Sequence, residues 1–508
     1  MTTDRLTHRP TRTSNVANTL ARSRLGTAAV VFFVMAAAAP LTVTAGGATS
    51  GFAITGSTGI PIAYLAIAAI LAIFAVGYVA MSRHVVNAGA FYSYISQGLG
   101  KPAGVAAAFI AVLAYNAMQI GLYGGFGAVL SGFLAERFGV SVSWWLCALA
   151  GWAIVAVLGV LRVDLNGRVL AIMLLAEIAI AALFAVVIVA HPAEGGITLS
   201  TLSPSFLLTA GIGAALVTAV TGFVGFEATV VFSEETRDPK RTIARATYIA
   251  VAVTGLLYGL SAWALTVATG PDKIVAAAQE HSTELIFTLV RPHVGQFFVD
   301  LGHLLFITSL FAALLSFHHT VGRYLFSLGR EHVLPSRLGH TSMRTGAPRA
   351  GSITQTILAF GVLVGYALAG ADPIVHLFFW ITVTGGLGVL ILMTLTSAAV
   401  IGFFAGDRRS ESLWHRIAAP VIATAALGWV LYLTVDQFAI LLGVDPTDPL
   451  RWAFPASFAV AALLGLIWAG LLKAWRPDIY DTIGLGANAA PATNPFADAV
   501  PIAGTSRS

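Results

Sequence analysis

Two hydrophobic segments of this chain are interrupted at their centres. The first runs from about Thr27 to Gly51 and contains Ala36-Ala37-Ala38-Ala39-Pro40, followed by Thr44-Ala45-Gly46-Gly47. The second runs from about Leu208 to Phe232 and contains Thr221-Gly222-Phe223-Val224-Gly225-Phe226-Glu227. A helix that breaks inside a bilayer leaves N–H and C=O groups that lipid cannot satisfy. Such a break survives where a ligand, an ion or water takes up the bonds. Two breaks at corresponding places in two halves of a chain point to the binding site of a secondary transporter.

Composition agrees that the solvent is lipid. Hydrophobic residues make up 57% and charged residues only 10%, against roughly 25% charged in soluble domains. Counting stretches of about 20 apolar residues gives twelve spans, centred near residues 38, 70, 118, 152, 179, 220, 256, 311, 360, 390, 429 and 462. They form one continuous all-α bundle over 25–475, between tails at 1–24 and 476–508 that read as disordered and cytoplasmic. With the N-terminus inside, 24 of the 28 basic residues fall in cytoplasmic segments, leaving Arg137, Lys273, Arg291 and Arg451 outside. That asymmetry predicts both termini in the cytoplasm. Trp144, Trp145 and Trp452 then mark outer ends and Trp414 and Trp475 inner ends. A basic start, an apolar run and Ala36-Ala37-Ala38 also imitate a signal peptide. Its removal would leave eleven spans with the new N-terminus outside, against the basic-residue count.

Several chemistries have no sequence support. The pair Gly100-Lys101 is followed by Pro102 rather than Ser or Thr, so there is no phosphate cradle of the G-x-x-x-x-G-K-[ST] kind. No H-E-x-x-H, no nucleophile elbow and no paired-cysteine metal site occurs, and Cys147 is the single cysteine. The expectation is a protein that is not an enzyme, has no cofactor and binds neither nucleotide nor nucleic acid. A proton or sodium gradient would drive it.

Three motifs carry a family resemblance. Gly222-Phe-Val-Gly-Phe-Glu227, leading to Ser233-Glu-Glu-Thr-Arg-Asp-Pro-Lys-Arg241, resembles the sixth helix and following loop of the amino acid–polyamine–organocation permeases. Gly322-Arg-Tyr-Leu-Phe-Ser-Leu-Gly-Arg330, with Leu334-Pro335 and Thr345-Gly-Ala-Pro348, resembles their eighth helix and its loop. Asn87-Ala-Gly-Ala-Phe-Tyr-Ser-Tyr94 with Leu99-Gly100 resembles the loop after the second helix. The resemblance covers about 25–475. It implies the LeuT-type fold, with two inverted five-helix repeats (27–190 and 208–402) and two peripheral helices, and a plasma-membrane permease for amino acids, polyamines or related amines. An acid is common at the position of Glu227. Some proton-coupled relatives carry a lysine on the fifth helix, and this chain has none between Arg168 and the outer end of that span.

The residues themselves suggest a site. A zwitterionic amino acid offers a carboxylate, suited to the N–H groups and positive dipole end of a half-helix, and an ammonium, suited to unpaired carbonyls. Ala37, Ala38, Ala39 and Thr42 in the first break and Thr221, Gly222, Phe223 and Gly225 in the second are the expected binding residues. The bland alternative is tight helix packing at small residues. Two carboxylates lie inside spans, where charge is costly and usually functional. Glu227 would be a proton carrier, a gating ligand bonded across helices, or a partner for a substrate amine. Glu177, midway along the fifth span, would carry a proton or sit protonated against a neighbouring helix. Tyr115, Gln119 and Tyr123 share one face of the third span and are expected along the pathway. Ser309 and Ser316 offer oxygens to sodium, and His318 and His319 read first as packing residues. The substrate is expected to be an amino acid, imported by proton symport and alternating access, with a polyamine or other amine as the alternative. An amine sensor is a third reading, which an appended soluble domain would favour.

Overall fold

A computed structural model describes residues 26–486, except 86, 88, 162–166, 232–235, 237, 343–345 and 407–409. The tail 1–24, most of the tail after Arg476, and parts of the loops around Ser233 and Thr345 therefore lie outside the described residues. The regular elements of the described part are all helices. Among the described residues, eleven helices are long and apolar enough to cross a membrane, and a twelfth, Trp144–Val160, has 17 residues. Together they match the twelve spans expected, and the protein is a multi-pass membrane protein. Spans are numbered here in that order, so that span 2 is Ile60–Ser82, span 5 Ile172–Ala190, span 8 Gln296–Arg330, span 9 Arg349–Leu368 and span 12 Leu450–Trp475.

Local chemistry sets several of the span ends. The Asp372 carboxylate accepts from the N–H groups of Ile374 (2.9 Å) and Val375 (2.6 Å), starting span 10 at Pro373. Asp238 caps span 7, Pro239–Thr269, in the same way. Both rely on a side-chain oxygen meeting donors that the first helical turn leaves free, with proline placed where no donor is needed.

Burial separates the bundle into an inner and an outer set. The apolar windows of span 6 (94%), span 3 (83%) and span 1 (76%) are mostly buried, whereas span 9 (28%) and span 12 (22%) are mostly exposed. The inner spans are therefore the two interrupted ones and span 3, Lys101–Phe138, the longest helix. Span 3 lets its neighbour approach closely at Gly121 and Gly124. A Cβ at Gly124 would lie 2.5 Å from the Pro373 carbonyl oxygen, and one at Gly121 2.6 Å from the Thr382 methyl. This contact presses the opening π-helical turn of span 10, Pro373–Phe379, against span 3 and aims Phe378 and Phe379 at the centre of the bundle.

The chain after span 12 shows no periodicity in the sequence, yet it does not leave the bundle at once. Pro477–Thr482 forms a short helix, and Thr482, Ile483, Gly484 and Gly486 are buried.

Candidate functional site

Both interruptions occur where the sequence places them. Span 1 begins as Thr27–Ala38, and Ala39 then turns into the left-handed region (φ 44°). Pro40 has no N–H, its ring excludes a bond to the carbonyl four residues back, and it disfavours the α conformation at the residue before it. The span resumes as a wide π-helical turn, Thr42–Gly47, and continues as Ala48–Thr55. Span 6 runs Ile212–Phe223, opens through Val224 (ψ 127°) and Gly225 (φ 120°), and resumes at Ala228. Gly225 is required there, because a Cβ would meet that of Ala37 at 2.6 Å in a conformation that other residues avoid. The two breaks therefore touch each other.

Side chains take up much of the backbone that the breaks release. Thr42 donates its N–H to Ser309 Oγ (3.3 Å), and its hydroxyl donates to the same oxygen (3.1 Å). The Tyr258 hydroxyl donates to the Ala38 carbonyl (2.6 Å), and the Tyr78 hydroxyl to the Glu227 carbonyl (2.8 Å). Glu227 curls back on its own break. Its Oε2 accepts from the Gly225 N–H (2.8 Å) and its Oε1 from the Tyr115 hydroxyl of span 3 (2.6 Å). Neighbouring helices can satisfy broken backbone in this way, so a ligand need not supply every bond.

A small cavity of about 50 Å³ lies between the breaks. Ala37, Ala38, Ala39 and Thr42 line it from span 1, and Thr221, Gly222 and Val224 from span 6. Met118 and Leu122 form the span 3 wall, and Phe317, Phe378 and Phe379 supply aromatic surface. The polar side chains in the lining are Thr42, Tyr64, Thr218, Thr221 and Thr382; among the described residues that line it, none is charged. The buried Tyr64 hydroxyl has no hydrogen-bond partner among the described residues.

The surroundings also bear comparison with known proteins. Residues 25–466 match the amino acid permease family. The chain belongs to that family. It is 29% identical over 174 residues to an uncharacterized transporter of Mycobacterium tuberculosis, a match spanning 30% of this chain and 37% of that protein. It is 23% identical over 405 residues to the low-affinity putrescine importer PlaP of Escherichia coli, spanning 76% of this chain and 83% of the importer.

Within this family member the remaining candidates separate. Phe223 and Gly225 do not line the cavity: Phe223 packs on Tyr258 (5.5 Å between ring centroids), and Gly225 backs onto Ala37. Tyr115, Gln119 and Tyr123 do share a face of span 3, but that face meets spans 6, 8 and 9 rather than the cavity. Gln119 donates to the Tyr123 hydroxyl (3.4 Å), lies 3.2 Å from His318 Nδ1 and accepts from Gln355. His318 Nε2 continues to Ser352 (2.7 Å). The cavity-facing residues Met118 and Leu122 lie one position back along the helix. Polarity marked the face that bonds to neighbouring spans, whereas the cavity wall is apolar.

Glu227 is fully buried, and both carboxylate oxygens are engaged away from the cavity. Glu177 of span 5, also buried, lies beside Ser309 and the Leu41 backbone. Its Oε2 has no hydrogen-bond partner among the described residues. Ser309 thus joins the first break to span 5, while Ser316 lies two turns further along span 8. His319 is buried on the same helix beside His318.

Sequence reasoning missed Tyr64, Met118, Leu122, Phe317, Phe378, Phe379 and Thr382. For the span 10 residues one signal existed: glycines at 121, 124 and 125 of span 3 announce a close neighbour.

Proposed function

We propose that this protein is a plasma-membrane secondary transporter that imports an amino acid by alternating access, driven by protons. The observation that carries the choice of substrate is a cavity lining with no charged side chain among the described residues. A di-cationic polyamine would bury two ammonium groups there with no carboxylate to face them, which is costly in a low-dielectric site. A zwitterion carries its own counter-charge. Its ammonium would meet carbonyls where the first halves of the broken spans end, near Ala37 and Thr221. Its carboxylate would meet the Tyr64 hydroxyl and the start of the second half of span 1, where the helix dipole is positive. Phe317, Phe378 and Phe379 would receive an apolar side chain.

The coupling role in this reading falls to the first break. Glu177 is the carboxyl with an oxygen to spare, and it shares Ser309 with Thr42. A proton taken up or released there would change the hydrogen bonds that hold span 1. Glu227, with both oxygens engaged, is the gating ligand of the three roles considered for it. Sodium held by Ser309 oxygens is the competing reading.

Proteoliposome uptake across a panel of amino acids and polyamines, with pH and sodium gradients imposed separately, tests this. The expected result is uptake of a neutral amino acid that follows the inward proton gradient and ignores sodium. Putrescine uptake exceeding that of every amino acid would overturn the substrate choice and favour the activity named for the Escherichia coli relative. For orientation, cysteines at Ser57 and Thr198 should label from outside in intact cells and one at Ser410 should not.

A further inference from the structure

Glu331 is the residue immediately after span 8, and it is completely buried. Four donors surround its carboxylate. Tyr92 donates its hydroxyl to Oε2, Asn87 Nδ2 donates to Oε1 (3.3 Å), and the N–H groups of Gly484 and Gly486 donate to Oε2 and Oε1 at 2.7 Å each. Burial pushes the Glu331 carboxyl above the ordinary carboxylate range, while Tyr92, the two amides and Arg330 act in the opposite sense. The chain beyond span 12 thus supplies half the donors to a buried acid more than 150 residues earlier.

The fit is specific. Gly484 (φ 82°) and Gly486 (φ 61°) both occupy the left-handed region. A Cβ on Gly484 would lie 2.8 Å from Ser96 Cβ, and one on Gly486 2.5 Å from Asn87 Nδ2. Gln97 Nε2 donates to the Gly484 carbonyl (3.1 Å), and Lys101 pairs with Asp481 (3.0 Å). The segment therefore straps the short helix Phe91–Leu99 to the end of span 8. Beneath it, Asn87 Oδ1 accepts from the buried Ser327 hydroxyl (3.2 Å). Phe91 and Tyr94 of the strapped helix pack on Tyr78 (5.8 and 5.3 Å), whose hydroxyl holds the Glu227 carbonyl at the second break.

What the strap contributes is also replaceable. Its donors to Glu331 are backbone amides, whose place around a carboxylate water can take, and its apolar anchors are few: Ile479 and Ile483 are buried and Tyr480 packs partly against the core. We propose that residues 477–486 form a releasable latch: docked, they close this end of the bundle over Asn87 and Ser327, and undocked, they free the helix Phe91–Leu99 and, through Tyr78, the second break. This goes beyond the transport reading, and its test needs no substrate.

In purified full-length protein carrying Cys147→Ser and Ser327→Cys, labelling of the thiol introduced in span 8 by a maleimide should be slow. Ending the chain after Arg476 should accelerate labelling at least tenfold, and Gly484→Val in the intact chain should do the same. Both variants should keep the thermal denaturation midpoint of the parent within a few degrees. Slow labelling in both variants would overturn the latch. So would fast labelling accompanied by a collapse of the midpoint, which would make the segment a structural brace.

Discussion

The two breaks do the same job by different means. The first is written into the backbone. Pro40 removes one hydrogen bond, blocks another and pushes Ala39 out of the α region, at roughly 1–2 kcal/mol for a left-handed residue with a side chain. The second has no proline. Gly225 only permits the opening of span 6, and side chains impose it: Glu227 folds back on the Gly225 N–H while Tyr115 and Tyr78 hold Glu227 from spans 3 and 2. The opening at the first break is built into the chain, whatever bonds Ser309 and Tyr258 add around it; the second is a set of bonds that surrounding helices can make or break. A transporter needs both a fixed pivot and a movable part, and the second break is suited to the latter.

The largest effect should come where the breaks meet. Gly222 lines the cavity, and a Cβ there would already lie 2.9 Å from Val43 and 3.0 Å from Tyr64. Gly222→Leu and Gly225→Leu should each abolish substrate binding and uptake, at least a hundredfold loss, while the protein still inserts and survives detergent extraction. The measurement is uptake beside size-exclusion behaviour of the purified variants. Normal uptake by Gly222→Leu would remove this segment from the site.

Next comes a pair that separates the two mechanisms. Pro40→Ala restores an N–H and lets span 1 close toward a continuous helix, so uptake should fall tenfold or more with no loss of thermal stability. Glu227→Gln keeps one oxygen acceptor where two donors converge. Losing a charge-assisted bond of about 1.5–3 kcal/mol should lower both uptake and the denaturation midpoint. If Pro40→Ala were the less stable of the two, the assignment of covalent and side-chain control would be reversed.

How much of this the sequence displays follows the same division. Twelve spans are legible because twenty apolar residues in a row need no tertiary context, and both breaks are legible because Pro40 and Gly225 state a backbone requirement. Ala37, Ala38, Ala39, Thr42, Thr221 and Gly222 fall in the cavity lining for that reason. The rest of the wall is not legible. Met118, Leu122, Phe317 and Phe378 are apolar residues in apolar spans, and composition does not separate those facing lipid, protein or cavity. Polar residues misled in the other direction, since Tyr115 and Gln119 are polar because they bond to Glu227 and Gln355. The folded start of the tail was hidden because its contacts with Glu331 are made by backbone amides, with only Gly484 and Gly486 as a trace.

A smaller effect distinguishes the two acids. Glu177→Gln removes the carboxyl that shares Ser309 with the first break, so uptake should persist, reduced a few-fold, but lose its dependence on the proton gradient. Glu227→Gln should leave that dependence in place on whatever uptake remains. Parallel proteoliposome assays at matched and opposed pH read this directly. Uptake that requires inward sodium and ignores pH in the wild type and in both variants would defeat proton coupling altogether.

The finest test uses one substitution at both breaks. Each has a carbonyl capped by a tyrosine from a neighbouring span: Ala38 by Tyr258 of span 7, and Glu227 by Tyr78 of span 2. Changing either tyrosine to phenylalanine deletes one hydroxyl and leaves the ring packing intact. Hydrogen bonds between membrane helices are worth about 0.6 kcal/mol on average, with single cases near 1.7. Tyr258→Phe should cost the lower figure, because Pro40 and the Ala39 conformation fix the first break whether or not the carbonyl is capped. Tyr78→Phe should cost closer to the upper one, because its hydroxyl is one of the few bonds that keep span 6 open, and because Tyr78 also carries the packing of Phe91 and Tyr94. Denaturation midpoints of the two variants, measured in the same detergent, give the comparison. Equal shifts would mean that the tyrosine caps are independent of how each break is made, and a larger shift for Tyr258→Phe would mean that the first break depends on its neighbours after all.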